Sequence, residues 1–327
     1  MFEAFFSISP ILALVLAGFI IGRMVKKPKN ELSDHYLLLN HFIFYVLAPA
    51  FFFFSVANGN LNAIINIPYF LALIASQFIM MGLALVITGN FFKEPFGERM
   101  LHSLSSSFPN ILYLGFPIMI AVFGEQGIMP AIQAIFIQQA IIMPILLSTL
   151  QFDLAVRRGF SHGNRQTSII EIIRAFFSLL KDPLVWSVAA GLLVAYFGWQ
   201  MPNFATIFFN LASGGLSTVA LFTIGVFMAQ TKFTYRLSIT QESWWVVILK
   251  IIVMPLLAWV IVTIVFPYLD SVHAAAVVMI AALPTAGSIM LLAHRFAIRK
   301  KRTMLEYNMT SLASAITLTI ILTYYLN

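Results

Sequence analysis

The feature that most constrains this chain is a repeated length: apolar runs of about 18 or more residues recur from one end to the other. The stretch "YFLALIASQFIMMGLALVITG", residues 69–89, carries no charged side chain. Such a run can cross the hydrocarbon core as a helix, and in lipid only helices or closed barrels satisfy every backbone polar group. Barrel strands would alternate polar and apolar residues over about ten positions, and these runs do not alternate. With 61% hydrophobic and only 9% charged residues, too few charges remain to cover a soluble surface. The expected fold class is therefore an all-α integral membrane protein. The N-terminal run carries Glu3 rather than a basic n-region and ends at Arg23, Lys26 and Lys27 rather than at a small-residue cleavage site. It reads as a first spanning helix, not a signal peptide.

The distribution of basic residues sets the expected topology. All but one of the 19 Lys and Arg cluster in alternate connections: Arg23 to Lys29, Lys93/Arg99, Arg157 to Lys181, Lys232/Arg236 and Arg295 to Arg302. The connections between them, around 58–66, 124–127, 199–203 and 266–271, hold none. By the positive-inside rule the basic connections are cytoplasmic, both termini are extracytoplasmic and the number of spans is even. The net charge of +7 then reflects membrane topology and not a nucleic-acid surface. Ten spans fit this alternation: 7–25, 35–57, 67–92, 99–123, 127–153, 182–199, 204–230, 242–266, 271–294 and 303–325.

The longest basic connection contains "RQTSIIEIIRAFFSLLK", in which Glu171, Arg174, Ser178 and Lys181 recur at helical spacing, predicting an amphipathic helix lying in the interface. It divides the chain into a first five-helix repeat over 1–153, a cytoplasmic linker over 154–181 and a second five-helix repeat over 182–327. Five spans per half make the second repeat enter the membrane inverted. Gly115 and Pro117 lie midway along the fourth span, and Pro284 lies midway along the ninth. A proline frees backbone groups that cannot face lipid, so matched interruptions in inverted halves point to the central site of a transporter. Pro10, Pro49, Pro68, Pro130, Pro144 and Pro255 read as simple kinks.

Asn110, Gly115 and Pro117 in "NILYLGFP", Ala282 to Pro284 and Ala293 to Phe296 in "ALPTAGSIMLLAHRF", and "LNHFIFYVLAPAFFF" in the second span resemble the auxin efflux carrier family. That family includes plant auxin exporters and bacterial permeases for malonate, malate and related acids. The resemblance covers essentially all ten spans. It implies a 5+5 inverted repeat with broken helices 4 and 9 crossing near the membrane centre. It also implies a scaffold of spans 1, 2, 6 and 7, a mobile transport domain of the others, an elevator mechanism and a homodimer formed through the scaffold. The long cytoplasmic loop of many plant members is absent, so a short bacterial-type carrier is the closer match.

Each broken helix would present a half-helix N-terminus, whose unpaired N–H groups and partial positive charge suit a carboxylate. Around the breaks lie Asn110, Thr285 and Ser288, with Gln138 and Gln139 of the fifth span and Asn308 of the tenth as neighbours. The resemblance transfers most directly to Asn110, Pro117 and Pro284. Asn110 reads as a cap, a ligand or both. The adjacent glutamines point about 100° apart on an α-helix, so one of them should face the site. Lys250 is the basic residue outside the clusters, either a counter-charge or a lysine snorkelling to the interface. No carboxylate falls mid-span, since Glu306 and Glu242 sit near cytoplasmic ends, so any proton coupling falls to His41 or to a protonated substrate. His41 reads first as a hydrogen-bonded packing residue beside Asn40 and Tyr45.

The absence of cysteine removes disulfides, thiolate metal sites and cysteine nucleophiles. "GFSHG" at 159–163 fits G-x-S-x-G but lies in a cytoplasmic connection instead of a strand-to-helix turn. No H-E-x-x-H or phosphate-loop motif occurs. The expectation is a non-enzymatic secondary transporter of small organic anions such as malate or malonate, without metal or cofactor, in the cell membrane. An anion channel and a membrane sensor are the alternatives.

Overall fold

The computed structural model describes residues 2–24, 34–59, 66–162, 182–230, 240–296 and 298–326. The expected interfacial helix over 165–181 lies outside them. Among the described residues the fold is helical, and its one β-type contact is an isolated bridge between Pro109 and Thr285. The first half contains α1 (Phe2–Met24), α2 (Asp34–Phe42), α3 (Ala48–Ala57), α4 (Ile67–Phe91), α5 (Phe96–Ser107), α6 (Phe116–Phe123), α7 (Ile128–Ile137) and α8 (Met143–His162). The second contains α9 (Pro183–Phe197), α10 (Asn203–Gly214), α11 (Leu216–Gln230), α12 (Gln241–Ile248), α13 (Met254–Val260), α14 (Ser271–Ala282), α15 (Gly287–Arg295) and α16 (Lys300–Leu326). Among the described residues, six helical stretches are long and apolar enough to cross a bilayer: 36–57, 67–91, 111–151, 203–229, 241–265 and 300–325. Residues 9–24, 183–197 and 271–282 form shorter apolar helices.

Prolines leave a regular mark on these helices. Each π-helical turn among the described residues ends two positions before a proline: Ile43–Leu47 before Pro49, Ile111–Gly115 before Pro117, Gln138–Ile142 before Pro144, Leu249–Val253 before Pro255 and Ile261–Val265 before Pro267. A proline ring clashes with the carbonyl four residues back and offers no N–H to it, and a wider turn relieves both problems; at the first four the helix continues, and at the fifth it ends at Val265. Pro117 is therefore not where the fourth span breaks. The chain is helical from Ile111 through Phe123, and the interruption lies upstream at Phe108–Asn110.

The helices pack in two sets. In one, α1 lies along α11, and α3 packs on α9 and α10. Glycines permit the approach: a Cβ on Gly18 would stand 2.0 Å from the Phe222 carbonyl oxygen, one on Gly225 2.0 Å from that of Val15, and one on Gly191 2.8 Å from that of Phe53. In the other set, α4 packs on α5, α13 and α14, while α16 packs on α12, α14 and α15. The interrupted helices run against both sets, because the turn at Ile111–Gly115 touches α11 while α14 touches α4 and α16.

Candidate binding site at the helix crossing

Two prolines build the centre. A residue that precedes proline is driven out of the α region into extended backbone. Phe108, before Pro109, has φ −95° and ψ 104°. Leu283, before Pro284, has φ −62° and ψ 151°. Helices α5 and α14 therefore stop there, and the two short extended segments pair antiparallel. The Asn110 N–H donates to the Pro284 carbonyl at 2.9 Å, and the Ala286 N–H donates to the Phe108 carbonyl at 3.0 Å. Side chains close the remaining groups: Gln138 Nε2 donates to the Pro109 carbonyl at 2.7 Å, and Thr285 Oγ1 to the Ser105 carbonyl at 2.5 Å. The Thr285 N–H reaches Thr310 Oγ1 at 3.3 Å. These bonds satisfy part of the freed backbone within the protein, as a hydrocarbon surrounding requires, and leave the first N–H groups of the restarted helices uncapped.

Helices restart immediately beyond both breaks, at Ile111 and at Gly287. Their N-caps are Asn110 and Ala286, and no side chain caps either terminus. Both N-termini open onto one cavity of about 350 Å³. Asn110 and Tyr113 line it from the first restart, and Gly287 and Ser288 from the second. Gln138, Gln139 and Met143 form another wall; Tyr36, Asn40 and His41 of α2 face them, with Tyr307 and Arg295 also contributing. Asn40 Oδ1 accepts a hydrogen bond from the Tyr113 hydroxyl, which ties α2 to the restarted helix.

Five of the expected site residues line this cavity: Asn110, Gln138, Gln139, Ser288 and His41. Both glutamines do so, where the expectation was one, and Gln138 opens a π turn. His41 packs its ring against Tyr45, with centroids 5.7 Å apart. Gly115, Pro117, Pro284, Thr285, Asn308 and Lys250 are not in the lining. Pro284 and Thr285 build the crossing itself. Gly115 faces the crossing, where a Cβ would lie 2.5 Å from the tip of the Leu283 side chain, Cδ1. Asn308 is buried on α16 next to Tyr307, which takes the cavity position instead. Lys250 does not snorkel: its side chain is fully buried, with Nζ 3.0 Å from Met254 Sδ and 3.3 Å from the Ala281 carbonyl near the end of α14.

The sequence reasoning missed Tyr36, Asn40, Tyr113, Tyr307 and Arg295 as lining residues. Tyr36 and Asn40 are four apart and therefore share a helix face, which is a legible signal. The position of Arg295 depends on the packing of α15 and has no such signal.

A buried ion network lies at the basic end of the same helices. Arg299 pairs with Glu94, with Glu306 at 3.2 Å and with Glu242 at 3.7 Å, and Arg302 pairs with Glu94 and Glu242. His102 Nε2 lies 3.0 Å from the Glu242 carbonyl. Glu306 is fully buried, so its place near a helix end does not make it a surface carboxylate. Burial pushes the Glu94 carboxyl above its usual range, against the opposing pull of the Arg299 guanidinium.

The sequence model of the membrane transport protein family matches residues 4–322. The chain belongs to this family. It is the family of auxin efflux carriers that the paired motifs resemble. Among its relatives, a protein of Escherichia coli (strain K12) named "Uncharacterized transporter YfdV" is 27% identical over 88% of this chain and 86% of its own length. A protein of Rhizobium meliloti (strain 1021) named "Putative malonate transporter" is 20% identical over 95% of this chain and 92% of its own. Family membership and the long apolar helices together make this chain a multi-pass membrane transport protein.

Proposed function

We propose that the protein is a secondary transporter of small organic anions that binds its substrate in the cavity at the crossing. One observation carries the reading: two uncapped helix N-termini and the Asn110 side chain converge on a single cavity. Such a site offers a carboxylate oriented N–H donors and partial positive charge, without a fixed ion pair that would hold the anion too tightly to release. A relative whose printed name refers to malonate transport supports the carboxylate class.

Ten spans in two inverted five-helix repeats, over 1–153 and 182–327, account for the matched breaks. The two packing sets support an elevator-type mechanism. In that mechanism the helices around α4, α5, α14 and α16 carry the crossing past a scaffold of α1, α3, α9 and α11. The exposed aromatic side chains Tyr196, Trp199 and Phe204 on α9, α10 and their connection suit a scaffold face for a second copy. With the basic connections on the cytoplasmic side, both termini face outward and the cavity opens inward.

The test is uptake of labelled carboxylates into proteoliposomes, with and without unlabelled acid inside. Saturable uptake stimulated by counterflow is expected for at least one acid. Asn110→Ala should abolish that uptake while the purified variant elutes and melts as the parent does. Linear flux without saturation would mean a channel, and retained affinity in Asn110→Ala would move the site elsewhere.

A further inference from the structure

We infer that Glu94 and His102 form a proton-binding site, in which one hydrogen held between Glu94 Oε2 and His102 Nδ1 completes the ion network at the basic end. The site is separate from the cavity and does not depend on what the cavity binds.

The tautomer of His102 follows from its neighbour. Its Nε2 lies 3.0 Å from the Glu242 carbonyl, which can only accept, so Nε2 carries a hydrogen. In the neutral ring Nδ1 is then a bare acceptor. It stands 3.8 Å from Glu94 Oε2, another acceptor, and among the described residues neither atom has a hydrogen-bond partner. His102 is fully buried and the Glu94 side chain nearly so, which leaves solvent little part in screening the contact. Two buried acceptors turned on each other are costly, and a single proton turns their repulsion into a hydrogen bond.

The charges around the pair favour that proton. Arg299 and Arg302 are the cations of the network, and they meet four carboxylates: Glu94, Glu98, Glu242 and Glu306. Arg299, Glu94 and Glu306 are the buried members, so the excess of negative charge is least screened beside His102. The upward push of burial on the Glu94 carboxyl acts in the same direction. On α5 itself, Arg99 is engaged with the Leu85 carbonyl at 3.0 Å. The other elements that touch α5 bring Lys93 at the end of α4, Asp153 on α8, His294 on α15 and Lys250 on the turn after α12.

The site also joins the two halves of the chain. Glu94 and His102 come from the first, and Glu242, Arg299 and Glu306 from the second. The His102 carbonyl accepts from Ser106 Oγ at 3.0 Å, two residues before the break at Phe108. The Glu306 carbonyl accepts from Thr310 Oγ1 at 2.9 Å, and that oxygen takes the Thr285 N–H of the crossing. Network and crossing are thus linked along both α5 and α16, and a proton bound at the first holds together the halves that build the second.

The experiment follows the melting temperature of the purified full-length protein against pH, with no transported anion present, for the wild type and Glu94→Gln. Glutamine carries permanently the hydrogen that the acid would bind. Above about pH 6.5 the unfolded glutamate and histidine hold neither proton while the folded pair still holds one, so wild-type stability falls as pH rises. Glu94→Gln should melt level with the wild type at about pH 6 and about 2 °C or more above it at about pH 8. If Glu94→Gln does not fold, His102→Gln carries the same test, since it removes the acceptor and should flatten the fall. Curves that run parallel to the wild type above about pH 6.5 would overturn the site. So would a wild-type melting temperature that rises with sodium but not with choline at fixed pH, because a metal cation would then join the two acceptors.

Discussion

Lys250 is a costly side chain to bury. It is fully buried, and its described partners are a thioether and one backbone carbonyl, with no carboxylate among them. Burying such a group without an ionic partner costs free energy, and replacing buried charged groups by apolar ones of similar volume is often neutral or stabilising. A group kept at a cost is better explained by function than by packing. Lys250→Met should therefore raise the melting temperature of the purified protein while lowering its transport rate. A fall in melting temperature would instead mean that Nζ holds the last turn of α14 through the Ala281 carbonyl. The sequence located this residue, but it could not say whether the amine reaches an interface or a neighbouring helix. That choice depends on which side of the helix meets α14, and the helix containing Lys250 is apolar on most sides.

At the scale of elements, glycine and proline do different jobs that their frequency hides. The glycines between α1 and α11 face backbone, whereas Gly115 faces the tip of a leucine side chain. A backbone carbonyl cannot move without moving its helix, while a leucine tip can rotate. Gly225→Ala should consequently cause a large loss of thermal stability and of monodisperse elution, and Gly115→Ala should be tolerated with a small loss. Equal effects would show that the α1–α11 contact can relax. The prolines explain what was legible here and what was not. Pro284 lies between long apolar stretches and marks its break plainly. Its counterpart is Pro109, which the louder Gly115/Pro117 pair overshadows, although the rule for the residue before proline applies to Phe108 as it does to Leu283. Pro117 instead belongs with Pro49, Pro144 and Pro255, which widen a turn and let the helix continue, whereas the helix before Pro267 ends at Val265.

For the whole molecule, the apolar runs and the alternation of basic connections carry most of the architecture, because span length and loop charge are properties of the chain itself. The cavity is less legible, since its walls come from helices far apart in sequence whose facing sides depend on packing. Orientation has a direct test that the composition makes simple. The chain has no cysteine, so a single introduced thiol is labelled without background. On intact cells a membrane-impermeant maleimide should label Gln200→Cys, between α9 and α10. Lys301→Cys, in the first turn of α16, should react only after the cells are opened. The reverse pattern would invert the topology.

The pairing at the centre also dictates when the protein becomes whole. Thr285 closes on Ser105 across 180 residues of chain, and the Asn110 and Phe108 backbone groups wait for Pro284 and Ala286. During synthesis the first break is thus inserted long before its complement leaves the ribosome. A chain that stops short of Leu283 leaves polar backbone unmatched at mid-membrane, where each such group costs several kcal/mol. The centre of this protein is therefore assembled only once both halves of the chain are present.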